Sequence, residues 1–135
     1  MPVESDDELR AILEHDVIAV VGCSTTPGKA AHDIPAYLQD HGYEVVPVNP
    51  FADEVLGERA YDSLAEIDRE IDVVDVFRPS EETPDIVEAA LAREDVKAIW
   101  LQLGIANDEA AAAAAAAGVP FVQDRCMKVE HQRLF

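Results

Sequence analysis

Apolar residues along this chain fall into two kinds of run. Some are continuous: Val17-Ile18-Ala19-Val20-Val21, then Tyr43 to Val48, Ile71 to Phe77, Lys97 to Leu103 and Pro120 to Gln123. Continuous runs rich in Val and Ile, rather than strict alternation, mark strands covered by helices on both faces. Between these runs the apolar positions recur at helical spacing. That spacing predicts helices at about Ile34 to His41, ended by Gly42, more weakly near Ser63 to Ile67, and from Pro84 to Arg93. Thr83 is placed to cap the last of these, with Pro84 at its first position, where a missing N–H costs nothing. Ser5 and Glu8 have capping-box spacing ahead of Leu9, Ile12 and Leu13, which predicts a short helix before the first strand. Asn107 caps a fourth helix, with Asp108 and Glu109 at its positive dipole end, eight alanines from Ala110 to Ala117, and Gly118 to stop it. Met127 to Leu134 predicts a short C-terminal helix.

Strands alternating with helices define an α/β chain. Right-handed crossovers make it a doubly wound parallel sheet of about five strands with helices on both faces, in the expected order 3-2-1-4-5. The switch point of that order lies between the first and fourth strands. Ligands in such sheets bind outside the carboxyl ends of the strands at the switch, which directs attention to the segments beginning at Gly22 and near Gln102.

Composition narrows the classes. With 135 residues and 49% hydrophobic content, the chain 1–135 is expected to form one domain with its own core. Its longest apolar stretch, Ala110 to Val122, contains Gly118 and Pro120 and cannot cross a bilayer as one helix. The N-terminus lacks a basic region followed by an apolar one, so a cytoplasmic protein is expected. Two cysteines, Cys23 and Cys126, are expected as thiols. The formal charge of −18 repels phosphate backbones and anionic membranes, which argues against nucleic acid and membrane partners. Only Lys29, Lys97 and Lys128 are lysines, and so acidic, lysine-poor a surface points to a halophilic, salt-filled interior, against the plainer alternative of a merely acidic protein.

The chemistry gathers at the strand ends. Gly22-Cys23-Ser24-Thr25-Thr26-Pro27-Gly28-Lys29 follows the first strand directly. Glycine lets a ligand approach the backbone, helix-start amides donate to phosphate oxygens, and the Ser24 and Thr25 hydroxyls add bonds. A plain strand-to-helix turn is the competing reading, since neither G-x-G-x-x-G nor a Walker loop is complete. Lys29 is the leading charge contact, against a solvated lysine at a helix start. Val48-Asn49-Pro50 ends the second strand without the carboxylate that holds a ribose diol in NAD-binding folds, and it either lines an adenine site or simply turns. Phe77-Arg78-Pro79 ends the third, Arg78 facing a phosphate or a surface salt bridge. In the fourth, Trp100 reads as core, and Gln102 and Gly104 as open positions at the switch point. Asp124 and Arg125 read as tying the tail to the sheet; a reactive Cys126 with His131 as base is the alternative. No metal-ligand spacing is present.

The ordered set Val20-Val21-Gly22-x-Ser24-x-x-Pro27-x-Lys29, Gly42-Tyr43-x-Val45-x-Pro47-Val48-Asn49-Pro50, Asp72-Val73-Val74-Asp75-Val76-Phe77-Arg78, Trp100-x-Gln102-x-Gly104 and Asp124-Arg125-Cys126-x-x-x-Glu130-His131 resembles the stand-alone CoA-binding domain proteins. These are similar to the nucleotide-binding domain of the succinyl-CoA synthetase α subunit, and the resemblance runs from about Asp16 to the C-terminus. It implies a Rossmann-like fold with coenzyme A or an acyl-CoA as ligand, bound through its ADP moiety by a non-catalytic or regulatory module. By the resemblance, Gly22 to Lys29 takes the pyrophosphate and Val48-Asn49-Pro50 the adenosine side, while Phe77-Arg78-Pro79 with Gln102 and Gly104 forms the remaining wall. Cys23 stands where the family commonly has alanine. The synthetase's second domain, with its phosphohistidine, has no counterpart here, so ligase activity is not implied. The alternatives are an NAD(P)-dependent oxidoreductase, an acyl-CoA enzyme using Cys126 and His131, and a subunit completed by a protein partner or a second copy of itself.

Overall fold

The computed structural model describes residues 2–135; Met1, counted in the expected unit 1–135, lies outside them. Helix α1 (Asp6–Leu13) begins at the predicted cap, where Ser5 Oγ accepts from the Glu8 amide at 3.2 Å. It leads into β1 (Val17–Val21), α2 (Ala30–Asp40) and β2 (Glu44–Val48). A short hairpin of β3 (Glu54–Val55) and β4 (Glu58–Arg59) and a 3-10 turn at Leu64–Glu66 come next. Then follow β5 (Val73–Val76), α3 (Thr83–Leu91), β6 (Ala98–Leu101), α4 (Asp108–Ala117), β7 (Phe121–Val122) and α5 (Met127–Leu134).

Five of these strands form one parallel sheet in the order β2-β1-β5-β6-β7. The α/β doubly wound class is as expected, but the order is not 3-2-1-4-5: counted over the sheet strands alone it is 2-1-3-4-5. The third sheet strand, β5, lies between the first and the fourth. Two features of the sequence explain this. All four residues of β5 are fully buried, which suits a strand paired on both sides. β2 starts at the exposed Glu44 and carries Pro47, which lacks an N–H and belongs on an edge strand. The switch point therefore falls between β1 and β5, not between the first and fourth strands.

Both faces are covered. Leu9, Ile12 and Leu13 of α1, Ile34 and Leu38 of α2 and Met127 of α5 pack on Ile18, Val20, Val73 and Trp100. On the other face Val87 and Ala90 of α3 and Ala110 and Ala114 of α4 cover Ala19, Val21, Val74, Val76, Ile99 and Leu101. The alanine run is a helix as expected, capped by Asn107 Oδ1 on the Ala110 amide at 2.9 Å and ended by Gly118 at φ 73°, a left-handed conformation that glycine adopts freely.

Thr83 does not cap α3. After Pro79 a 3-10 turn at Ser80–Glu82 winds the chain early, so Thr83 is already helical and its hydroxyl donates to the Ser80 carbonyl at 2.7 Å. Helix α2 likewise starts at Ala30, four residues before the predicted Ile34, and contains Pro35. Proline leaves the carbonyl four residues back without its helical donor. That carbonyl, on Ala31, accepts the Ser24 amide at 2.9 Å instead, so the helix-breaking residue fastens the loop after β1 to α2.

Candidate functional site

A cleft of about 660 Å³ opens at the carboxyl ends of β1, β2 and β5, across the switch point. One wall is the loop after β1. Gly22, at φ 85°, passes under the side chain of Arg78: a Cβ there would stand 2.9 Å from Arg78 Cδ and 3.1 Å from the Phe77 carbonyl, so only glycine fits. The loop is organised by its own polar groups. Thr26 N donates to Ser24 Oγ at 3.0 Å and Gly28 N donates to Asp33 Oδ1 at 3.0 Å. The Gly28 amide, and after it His32, holds the Asp33 carboxyl below its ordinary value. The amides of Cys23, Thr25, Ala30 and Ala31 have no acceptor among the described residues, and α2 has no side-chain cap. They are the free donors that an anion at a helix N-terminus would use. Lys29, exposed at the N-cap of α2, adds a charge beside them.

The end of β2 forms the second wall. Asn49 shapes it twice over, its Nδ2 donating to the Cys23 carbonyl at 2.9 Å and its Oδ1 accepting from the Phe51 amide at 2.8 Å. Phe51, 97% exposed, stands at the mouth. The third wall joins Phe77 and Arg78 to Glu82, Asp85, Ile86 and Ala89 of the 3-10 turn and α3, and Asp62, Ser63 and Leu64 close the far side. The chemistry offered is that of a largely apolar trough with amide donors and two cations at one end and the carboxylates of Glu82, Asp85 and Asp62 on its walls.

Of the predicted residues, Gly22, Cys23, Ser24, Lys29, Val48, Asn49, Pro50, Phe77 and Arg78 line this one cleft. Thr25 and Pro79 are next to lining residues without lining it. Gln102 and Gly104 are elsewhere, because β5 separates β6 from β1. Gln102 is buried and donates through Nε2 to Asp75 Oδ1 at 2.6 Å, while its Oε1 accepts the Met127 amide. Gly104 N donates to Asp124 Oδ1 at 2.7 Å. Trp100 is fully buried as expected, its Nε1 donating to the Arg125 carbonyl.

Cys23 lies on the cleft floor, and burial, with Asp75 nearby, pushes its thiol up to about 12, which leaves it protonated and poorly nucleophilic at neutral pH. Cys126 and His131 are absent from the cleft lining. His131 sits between α2 and α5, its Nδ1 2.7 Å from the Tyr37 hydroxyl and its ring stacked on Phe135. Arg125 pairs with Glu130, so the segment after β7 fastens the tail. The residues that the sequence did not mark, Phe51, Asp62, Ser63, Leu64, Glu82, Asp85, Ile86 and Ala89, come from neighbours of turns and from one face of α3. Glu82, Asp85, Ile86 and Ala89 do recur at helical spacing, a pattern that becomes informative once the strand order is known.

Residues 16–132 match the family of CoA binding domains, and the chain belongs to that family. It is similar to the uncharacterized protein YneT of Bacillus subtilis (strain 168), with 43% identity over 128 residues that make up 94% of each chain. A Thermus thermophilus protein, cell-free ID.343, is 44% identical and superposes with a TM-score of 0.91, the match covering 98% of this chain and 100% of that one. An 83-residue stretch is 31% identical to the ADP-forming acetate–CoA ligase of Methanocaldococcus jannaschii, covering 62% of this chain and 12% of the ligase. Among the described residues no helix is long and apolar enough to cross a membrane.

Proposed function

We propose that this protein binds coenzyme A or an acyl-CoA through its ADP moiety and acts as a non-catalytic binding or regulatory module. The observation that carries the reading is that Cys23 and Ala31, whose amides have no acceptor among the described residues, line one cleft at the switch point together with Lys29 and Arg78. The donor set fits a diphosphate: neutral amides and a helix N-terminus favour anionic oxygens without requiring a basic surface. In this reading Gly22, Cys23, Ser24, Thr25 and Lys29 hold the diphosphate. Val48, Asn49 and Pro50 take the adenosine side, and Phe77, Arg78 and Pro79 take the wall opposite. The apolar surface of Leu64, Ile86 and Ala89 is suited to the pantetheine arm. Gln102 and Gly104 keep a structural part, through Asp75 and Asp124. The wider reading is a single unit over 1–135, cytoplasmic, with an acidic surface suited to a salt-rich interior.

Calorimetric titration with CoA, ADP and pantetheine tests it. CoA and ADP are expected to give saturable heat and a raised melting temperature, with pantetheine binding more weakly than either. Absence of both heat and thermal shift at millimolar CoA overturns the reading.

A further inference from the structure

The two cations of the cleft differ in what they already hold. Lys29 pairs with no carboxylate among the described residues. Arg78 is taken: its Nε and Nη2 donate to the two carboxylate oxygens of Glu82 at 3.0 and 2.9 Å. This two-oxygen, fork-to-fork geometry is the one an arginine uses on a phosphate. The stem of Arg78 lies across Gly22, and Glu82 is carried by the turn just before α3, so the pair stands between the loop wall and the α3 wall. Both side chains are about half exposed, at 47% and 46%, and exposed pairs of this kind open readily.

The surroundings give Glu82 no second role. It makes no side-chain cap on α3, and the other acidic residues lining the cleft, Asp85 on α3 and Asp62 on the far side, offer it no donor. The hydrogen bonds and charge of Arg78 hold the Glu82 carboxyl below its ordinary pKa.

We infer that Glu82 is a built-in competitor for Arg78: it occupies the guanidinium in the free protein, and a phosphate group of the ligand must take Arg78 from it. The inference rests on the CoA reading above and adds to it a threshold of ligand charge. A neutral nucleoside offers Arg78 nothing and leaves the pair closed. A diphosphate offers the same two-oxygen geometry with more charge and displaces the carboxylate. Glu82 thus lowers the affinity for both CoA and ADP and leaves that for a neutral nucleoside unchanged, so only a ligand with charge enough to displace it gains Arg78.

The test is a double-mutant cycle read by calorimetry with ADP, CoA and adenosine. Glu82→Gln is expected to tighten ADP and CoA by about two- to fivefold and to leave adenosine unchanged. In an Arg78→Gln background the same substitution is expected to gain less than half of that. Asp85→Asn removes an equal charge from the same wall without touching the pair and is expected to have the smaller effect. If Glu82→Gln fails to tighten ADP, or does so equally with and without Arg78, the competitor role is overturned while CoA binding stands. If the unaltered protein binds neither ADP nor CoA, the CoA reading fails and this inference with it.

Discussion

The two edges of the same sheet are built on opposite plans. At the N-terminal edge, side chains close a set of backbone groups. Asp72 Oδ2 accepts the amides of Asp16 and Val17 at 3.2 and 3.0 Å, and its Oδ1 accepts from Lys97 Nζ at 2.9 Å. Arg93 donates to the carbonyls of Leu64, Ile67 and Arg69 and to both oxygens of Asp95, which in turn accepts the Ile71 amide. In the loop after β1 at the C-terminal edge, four amides and a lysine are left over among the described residues, and the cleft's arginine, Arg78, is held by a single exposed carboxylate. The first edge spends its polar groups on the fold and the second keeps them for something else. Amides left without an acceptor at a helix N-terminus are open to water or to an anion, which is what the proposed diphosphate site would use.

The four residues from Asp72 to Asp75, at the start of β5, show the contrast, and they set the largest predicted effect. Burial raises Asp72, but Lys97 and the amides of Val17 and Asp16 outweigh it and the carboxyl stays below its ordinary value. Asp75, three residues on, is fully buried, has Gln102 on one oxygen and no partner on the other, and is pushed up to about 7 by burial. The folded chain therefore keeps a proton that the unfolded chain has lost, in the window between the ordinary value of 3.8 and about 7. Its contribution to stability is full below that window, falls as pH rises through it, and is gone above it. The expected size is on the order of 4 kcal/mol across the window. Asp75→Asn keeps the neutral shape and should remove this slope, being more stable than the parent at pH 8. Urea unfolding of both proteins from pH 4 to pH 8 measures it, and parallel profiles would mean that Asp75 is ionised in place.

Arg93 tests the closed edge. Its side chain is 15% exposed, and Arg93→Ala removes the guanidinium from the carbonyls of Leu64, Ile67 and Arg69 and from Asp95, leaving Asp95 only the Ile71 amide and the Leu64 carbonyl only the Ile67 amide. A loss of about 3 kcal/mol is expected, seen as a lower urea midpoint at unchanged slope. CoA affinity in the folded fraction should change far less, since the cleft lies at the other edge. A loss under about 1 kcal/mol would show that these bonds decorate the edge without holding it.

Much of this division was legible in the residues, and what was not has a physical cause. Ser5, Asn107 and Gly118 act locally, so their capping and stopping roles follow from spacing alone. The loop from Gly22 to Lys29, Val48-Asn49-Pro50 and Phe77-Arg78 each end a strand, and a parallel sheet brings such ends together whatever its order. Order itself depends on which strand is paired on both sides, and consecutive apolar residues look alike at the centre and near the edge. Pro47 carried that information, and its weight is clear only when β2 is seen as the edge. Gln102 and Gly104 fall outside the cleft lining for the same reason, since β5 stands between β6 and β1. Asp75 reads as one polar letter in an apolar run, and its burial between Gln102 and Cys23 is a property of the assembled sheet.

Lys29 supplies the smallest effect on stability and the sharpest test of the open edge. A cation at a helix N-terminus faces the positive end of the dipole, so Lys29 does nothing for α2 and makes no capping bond. Nor does it pair with a carboxylate among the described residues, although the chain has 28 acidic residues and only three lysines. Lys29→Ala is therefore expected to change stability by no more than about 0.5 kcal/mol. The same substitution should weaken CoA about tenfold and flatten the loss of affinity with added salt, because one screened contact to phosphate has been removed. Titrations at low and high salt, set beside unfolding curves of the same variant, separate the two roles. A variant that unfolds more easily yet binds CoA as before would make Lys29 part of the scaffold and leave the amides alone with the diphosphate.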